Sequence, residues 1–203
     1  MIETLGIISV AVITSIVGPI LVEKVKSRLR NNKPVDPVVN DHEHCSVIAD
    51  EIEEVRKLLN ADRTWILMYH NGGHFLTNEK SMKKFSMMFE TCKDEKDTVS
   101  STFTNIPVSL YPHSTRELLH NKHIYIKDFN DSKVATYGLK GSAQSAGTRS
   151  SYVHALLDIK TENIVGSFGV DFKKKKSLTK VQLQELNDRS QRIAGFLSIY
   201  LNN

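Results

Sequence analysis

The chain has 203 residues, a formal net charge of +4, 40% apolar residues and 25% charged residues. This length accommodates one domain together with an anchoring segment, and the composition is typical neither of a disordered chain nor of a protein with many membrane spans. Its two cysteines, Cys45 and Cys92, are too few for a disulfide framework and lack CxxC spacing, so they are two free thiols or one bridge.

An uncharged apolar segment lies near the start of the chain, from Leu5 to Val22. A helix of this length would be about 27 Å long, enough to cross the hydrocarbon core of a bilayer. A cleaved signal peptide is the alternative, but Glu3 stands where a cationic start is usual and no small-residue cleavage site follows. The sequence therefore predicts a transmembrane helix and basic juxtamembrane segment over residues 1–31, anchored by Leu5, Ile8, Val12, Ile16, Ile20, Lys24, Lys26, Arg28 and Arg30.

Cations follow this segment and none precedes it, which predicts a single-pass protein of the host inner (cytoplasmic) membrane with its C-terminal domain in the cytoplasm. The same cations should attract anionic lipid headgroups, at about 1 kcal/mol each near the surface. A second cationic run, Lys173 to Lys176, lies late in the chain. Neither run is interleaved with aromatic residues, so nucleic acid is not an expected partner.

Two prolines without apolar periodicity predict an extended linker at residues 32–41, followed by a domain at residues 42–203. Asn40 and Glu43 have capping-box spacing, and the apolar residues after them predict an amphipathic helix. A buried strand is expected from Thr64 to Tyr69, ended by the run His70-Asn71-Gly72-Gly73. In a second strand, Phe85 to Cys92, the larger apolar residues alternate with polar ones, except at Met88.

The rest of the domain alternates strands and helices. Ser114 and Glu117 in capping-box spacing predict a short helix. The small polar residues from Gly138 to Ser151 predict a loop. The remaining predictions are an edge strand at Ile124–Ile126, an antiparallel hairpin of Tyr152–Ile159 and Ile164–Phe172, and a last helix that opens with a Thr179–Gln182 capping box.

These elements predict an α+β domain with an antiparallel sheet flanked by helices. The hairpin IVGSFGVDF and the helix LTKVQLQELNDRSQRIAGFL resemble the end of a GAF domain, and the resemblance extends over residues 43–201. It implies a GAF-like sensory or interaction module. The Asn-Lys-Phe-Asp-Glu signature of cyclic-nucleotide-binding members is not recognisable, so binding of cGMP or cAMP is not expected.

The anchor, the basic stretch, YHNGGHF and KSMKKFSMMFE are together similar to membrane-anchored GAF-like proteins of tailed bacteriophages. A more distant likeness is to the T-even type of phage holin, which has one N-terminal span and a periplasmic domain. The alternative function is therefore a holin or lysis-timing effector that oligomerises through its transmembrane helix. A lipid-surface adaptor that recruits a host protein is a third hypothesis.

Candidate ligand-binding residues fall in three places. The first is the run after the first strand, where glycines allow close backbone approach and polar side chains offer donors and acceptors. The second is the polar face of the second strand, and the third is a cation in the small-residue loop that could close over an anionic group. The residues are His70, Asn71, Gly72, Gly73, His74, Phe75, Ser86, Glu90 and Arg149; a surface turn, a solvated strand face and a plain loop are the alternatives.

Neither metal ligation nor catalysis is predicted. The histidines and cysteines lack zinc-site spacing, and no Gly-x-Ser-x-Gly elbow or paired-acid arrangement is present in the sequence. We therefore expect a binding protein without a cofactor, whose ligand is an unknown small molecule or protein. Near-heptad stripes on the first and last helices also predict a homodimer, with Ser190 and Tyr200 at the outer edge of the stripe.

Overall fold

The structure, a computed structural model, describes residues 37–74 and 81–202. The predicted transmembrane helix and its anchor residues, all between Leu5 and Arg30, lie outside these residues, as does Phe75. Among the helices of the two described ranges, none is both long enough and apolar enough to span a bilayer.

Six antiparallel strands form one sheet in the described part of the chain, in the order β3-β2-β1-β6-β5-β4. The strands β1 and β2 form a long hairpin next to the hairpin of β5 and β6, and β1 pairs with β6 at the centre. Their bounds are β1 Arg63–His74, β2 Ser81–Cys92, β3 Ile106–Pro107, β4 His123–Ile126, β5 Ser150–Leu157 and β6 Ile164–Phe172. The predicted antiparallel sheet, the edge strand β4 and the β5–β6 hairpin are confirmed.

Two long helices cover one face of the sheet, which we call the helix face. They are α1 (Pro37–Leu59) and α4 (Lys180–Asn202), and their apolar residues form one buried core with the strands. The core includes Ile52, Ile193 and Phe168, which are at most 1% exposed. The predicted capping box of α4 is confirmed: the Gln182 amide donates to Thr179 Oγ1 at 3.2 Å, and the Thr179 amide donates to Gln182 Oε1 at 3.1 Å.

The opposite face, which we call the cavity face, is covered by short elements. These are α2 (Pro112–Asn121), α3 (Lys140–Ser145) and three 3₁₀ turns at Glu95–Asp97, Ser100–Thr102 and Val108–Leu110. A smaller apolar cluster around Phe129 and Leu118 packs between these elements and the sheet.

The predicted conformation of the linker and two predicted capping boxes are wrong. Residues 37–41 are helical and not an extended linker, because proline is compatible with the first helical position, where its missing N–H needs no partner. The Asn40–Glu43 capping box is wrong because both residues lie inside α1. The Ser114–Glu117 box is wrong because α2 begins at Pro112, although the helix itself is confirmed.

Two further corrections concern loops. The strand β1 continues to His74, because Asn71 and His74 pair with β2, with an irregularity at the two glycines between them. The predicted loop from Gly138 to Ser151 contains α3 and the start of β5.

Candidate functional site

A cavity of about 110 Å³ lies between the cavity face of the sheet and the short elements that cover it. Alternate residues of the strands form one side of the cavity, because residues two apart on a strand point to the same face. On β1 these are Trp65, Leu67 and Tyr69, and on β2 they are Phe85 and Met87. A single water needs roughly 10–15 Å³ of such space, so the cavity is large enough for a small organic molecule.

The walls of the cavity are largely aromatic and apolar. Phe103 and Tyr111 contribute from the 3₁₀ region, Leu118 from α2 and Ala143 from α3. The ring of Phe85 contacts that of Tyr111 at a centroid distance of 5.6 Å. The arrangement is that of a small-molecule pocket, in which apolar walls enclose a few placed polar groups.

A buried polar cluster closes one end of the cavity. Arg63 and the Asp171 carboxylate form an ion pair, with Nε 3.2 Å from Oδ2, and both side chains are at most 10% exposed. The Trp65 indole donates to the same oxygen at 3.0 Å, and Ser151 Oγ donates to Asp171 Oδ1 at 2.7 Å. The Asp171 carboxylate therefore has further hydrogen-bond donors besides Arg63, as burial of an ion pair requires.

The position of Trp65 depends on a glycine in the neighbouring strand. Gly169 lies opposite Trp65 in the β1–β6 pairing, and a Cβ there would be 2.1 Å from the indole ring. The indole therefore occupies the space that a side chain at position 169 would take. This places its N–H within reach of Asp171 and its ring against the cavity.

Glu90 attaches the covering segment to the sheet. Its side chain is 6% exposed, and its carboxylate accepts hydrogen bonds from the Val99 amide at 2.9 Å and the Ser100 amide at 3.0 Å, as well as from the Thr98 hydroxyl. Val99 lines the cavity, so this carboxylate holds a wall of the pocket in place.

The thiol beside this site is not activated. Burial, together with the Glu90 carboxylate, raises the pKa of Cys92 to about 11, so the thiol is protonated near neutral pH and is a weak nucleophile. Cys45 and Cys92 are both free in this structure. Among the described residues, no group of three or more His, Cys, Asp and Glu side chains is arranged to hold a metal ion.

The structure separates the predicted site residues from this cavity. His70 Nε2 lies 2.9 Å from Ser86 Oγ, which also accepts the Asn105 amide at 2.9 Å. The Asn71 side chain accepts from Lys83 Nζ at 2.5 Å, Gly73 has φ +97°, and His74 ends β1. Within the described ranges, none of the predicted residues His70, Asn71, Gly72, Gly73, His74, Ser86, Glu90 and Arg149 is part of the cavity lining.

The prediction that Ser86 and Glu90 share one face is wrong because β2 contains a bulge. Ile66 pairs with Phe89 and Leu67 pairs with Met87, so Met88 has no opposite residue. One extra residue reverses the facing of all residues beyond it. Ser86 therefore lies on the helix face and Glu90 on the cavity face. The apolar neighbours agree with this assignment: Phe89 packs against the helix-face core, and Met87 lines the cavity.

Arg149 is paired with a carboxylate of its own chain. Its Nε and Nη2 donate to the two oxygens of Asp128 at 2.5 and 3.0 Å, and this contact lowers the pKa of Asp128 to about 2. This pairing places the guanidinium outside the cavity, where its side chain is 40% exposed. The residues that do form the cavity had a signal in the sequence: Trp65, Leu67 and Tyr69 are large residues two apart.

The fold of this chain is similar to the folds of solved proteins. Neither a protein-family model nor a curated protein matches the sequence. Solved structures do match. The phycocyanobilin-bound GAF domain of a cyanobacterial phytochrome is 17% identical with a TM-score of 0.60, covering 88% of this chain and 92% of that one.

The chain has a GAF fold. The same fold recurs in the blue-light absorbing form of the Thermosynechococcus elongatus PixJ GAF domain, at 9% identity and a TM-score of 0.57, covering 77% of this chain and 86% of that one. A far-red cyanobacteriochrome photoreceptor matches at 11% identity and a TM-score of 0.57, covering 92% and 98% of the two chains. At these identities the similarity is one of fold alone, and it confirms the α+β, GAF-like prediction.

Proposed function

We propose that this chain is a membrane-anchored sensory module of bacteriophage type, whose GAF-fold domain binds a small molecule in the cavity beside Trp65. The observation that carries the proposal is the cavity itself: about 110 Å³ of space under aromatic walls, in a domain whose other face is tightly packed. Binding without catalysis is part of the proposal.

The fold supports this choice of function. One similar structure is described as a GAF domain with bound phycocyanobilin, so a protein of this fold holds an organic ligand. The hydroxyl pair of Tyr111 and Ser142, 2.7 Å apart on the cavity lining, supplies a second argument, because a few polar groups on apolar walls are typical of ligand pockets.

The test is ligand-induced stabilisation of the full chain, screened against a library of metabolites by thermal shift. Ala143→Phe should abolish the shift for any true ligand, because Ala143 is 9% exposed and lines the cavity. Ala135→Phe, at an exposed position, is the matched control and should retain the shift. A ligand that stabilises wild type and Ala143→Phe equally would place binding elsewhere.

Membrane anchoring and orientation are proposed on the sequence of residues 1–31, with anionic headgroups as the lipid partner. Deletion of residues 1–36 should release the protein from membranes, and a C-terminal reporter should be active in the cytoplasm. A reporter active only in the periplasm would favour the holin or lysis-effector alternative. Cys92 is a poor labelling site for this purpose, because its thiol is partly buried and stays protonated.

A homodimer through the first and last helices remains a proposal, but Ser190 is not at the outer edge of its interface. Ser190 is 4% exposed and donates to the Asn187 carbonyl at 2.7 Å, so it lies inside the helix-face layer. Val47 on α1 and Ile199 on α4 are 46% and 53% exposed and offer apolar area instead. Light scattering of the wild type and of the double variant Val47→Glu, Ile199→Glu tests this interface. A monomeric wild type would exclude the dimer.

A further inference from the structure

The cation at the cavity, Arg63, uses four of its five N–H groups in hydrogen bonds to the protein. Arg63 donates from Nε to Asp171, from Nη1 to the Asp97 carbonyl at 2.8 Å, and from Nη2 to the Ala146 carbonyl at 3.1 Å and Thr148 Oγ1 at 2.8 Å. A guanidinium has five N–H donors in a fixed fork, and these acceptors occupy its edges. A carboxylate or phosphate ligand could reach it only by displacing buried partners.

The charge around the cation also disfavours an anion. Asp171 is in contact at 3.2 Å, and Glu90 Oε1 lies 3.9 Å from Arg63 Nε, so one guanidinium faces two carboxylates. Asp171 in turn accepts hydrogen bonds from four side chains, those of Arg63, Trp65, Thr148 and Ser151. A ligand anion would therefore be buried without a counter-charge, and a ligand cation would compete with Arg63 for carboxylates that are already bonded.

The rest of the lining is suited to a ring. Tyr69, Phe85 and Phe103 present aromatic surface, and two further hydroxyls on the lining supply a polar contact point. Tyr111 Oη and Ser142 Oγ lie 2.7 Å apart and share one hydrogen bond. The second proton of the pair and its lone pairs can serve one hydrogen-bonding group of a ligand.

We infer that the ligand of this cavity is an uncharged molecule of one or two rings, carrying one hydrogen-bonding group that meets the Tyr111–Ser142 hydroxyl pair. The inference rests on the proposed function and specifies its ligand class. Anionic ligands, nucleotides among them, are excluded by the engaged Arg63 and the two neighbouring carboxylates.

The single tryptophan of the chain, Trp65, is a built-in reporter, because it lines the cavity. Three probes each carry one iodinated ring, which quenches tryptophan on contact, and a para substituent of similar size but different charge: 4-iodobenzamide is neutral, 4-iodobenzoate anionic and 4-iodobenzylamine cationic. Quenching is measured on the full chain at pH 7, and the Ala143→Phe variant serves as the blank for collisional quenching. The amide should bind at least about 10-fold more tightly than the benzoate, with the amine between them.

Each result of the quenching experiment supports or overturns the inference that the ligand is uncharged. Equal or tighter binding of either charged probe overturns the uncharged-ligand inference but leaves the cavity as a binding site. Absence of quenching above the blank by all three probes also overturns it, while the proposed function keeps its own test in the unrestricted library. Ser142→Ala retains the cavity and should weaken the amide about 5-fold or more; unchanged affinity would remove the hydroxyl pair from the inference.

Discussion

The two faces of the sheet are built from alternate residues of the same strands, yet they differ in how completely they are filled. On the helix face, Ile66 and Phe168 are 0% exposed beneath two long helices. On the cavity face, Trp65, Leu67 and Tyr69 are only partly buried, under short helices and 3₁₀ turns that leave a cavity. The comparison indicates that one face carries most of the stability, which leaves the other free to hold a ligand.

The largest expected effect is a charge placed in the helix-face layer. Ser190→Glu would bury a carboxylate in an apolar layer, at a cost on the order of 5 kcal/mol in free energy of unfolding, enough to unfold many domains. Val181→Glu adds the same group to the same helix at a position that is 79% exposed, and should change stability little. Denaturant unfolding monitored by circular dichroism measures both; equal stability of the two variants would contradict the burial of Ser190.

The same amino acid can be removed from each face. Phe168→Ala should cost about 3–5 kcal/mol, because it deletes a ring that is fully enclosed. Phe103→Ala should cost about 1 kcal/mol, because that ring is partly exposed and borders space that is already empty. Chemical denaturation of both variants gives the difference. Similar costs would show that the cavity face is packed as tightly as the helix face.

A methyl group at position 169 tests the placement of Trp65. Gly169→Ala should destabilise the fold by about 1–3 kcal/mol, because its Cβ would overlap the indole, and it should shift the fluorescence emission of Trp65. Gly141→Ala is the control, since the space around Gly141 is open within 4 Å and alanine is the better helix former. An unchanged emission maximum in Gly169→Ala would contradict the described contact.

The helix face also contains a buried histidine that predicts a pH dependence. Burial, and to a lesser extent the neighbouring His123, lowers the pKa of His154 from 6.5 to about 4, and the Tyr125 hydroxyl lies 2.9 Å from its Nε2. Between pH 6.5 and about 4 the unfolded chain takes up a proton that the folded one does not. As the pH is lowered through this window, the free energy of unfolding should therefore fall by up to about 1.4 kcal/mol per pH unit.

A variant isolates this contribution. His154→Gln should remove the slope between pH 6.5 and 5.5, above the range in which carboxylates such as Asp128 contribute, whereas His120→Gln, at an exposed position, should leave it in place. Urea unfolding at pH 4.5, 5.5 and 6.5 gives the slopes. A slope that persists in His154→Gln would assign the pH dependence to other groups.

The sequence was sufficient where local chemistry determines the structure. The Thr179–Gln182 capping box and the β5–β6 hairpin depend on residues close in the chain, and both are confirmed. The predicted local structure was wrong where distant partners decide. The run from His70 to His74 looks like a strand end, but pairing with β2 extends the strand through it. The buried partners of Arg63 come from segments separated by 34 to 108 residues, beyond the reach of motif spacing.

The bulge at Met88 has a consequence for how this protein tolerates insertions and deletions. The Met88 side chain is 54% exposed, so most substitutions there should be accepted. Deleting the residue would be different, because β2 would then present Phe89 and Glu90 to the wrong sides of the sheet. The cavity wall would lose the carboxylate that holds Val99, and the helix core would gain it. At this position the chain should accept almost any amino acid, but it should not accept the loss of one.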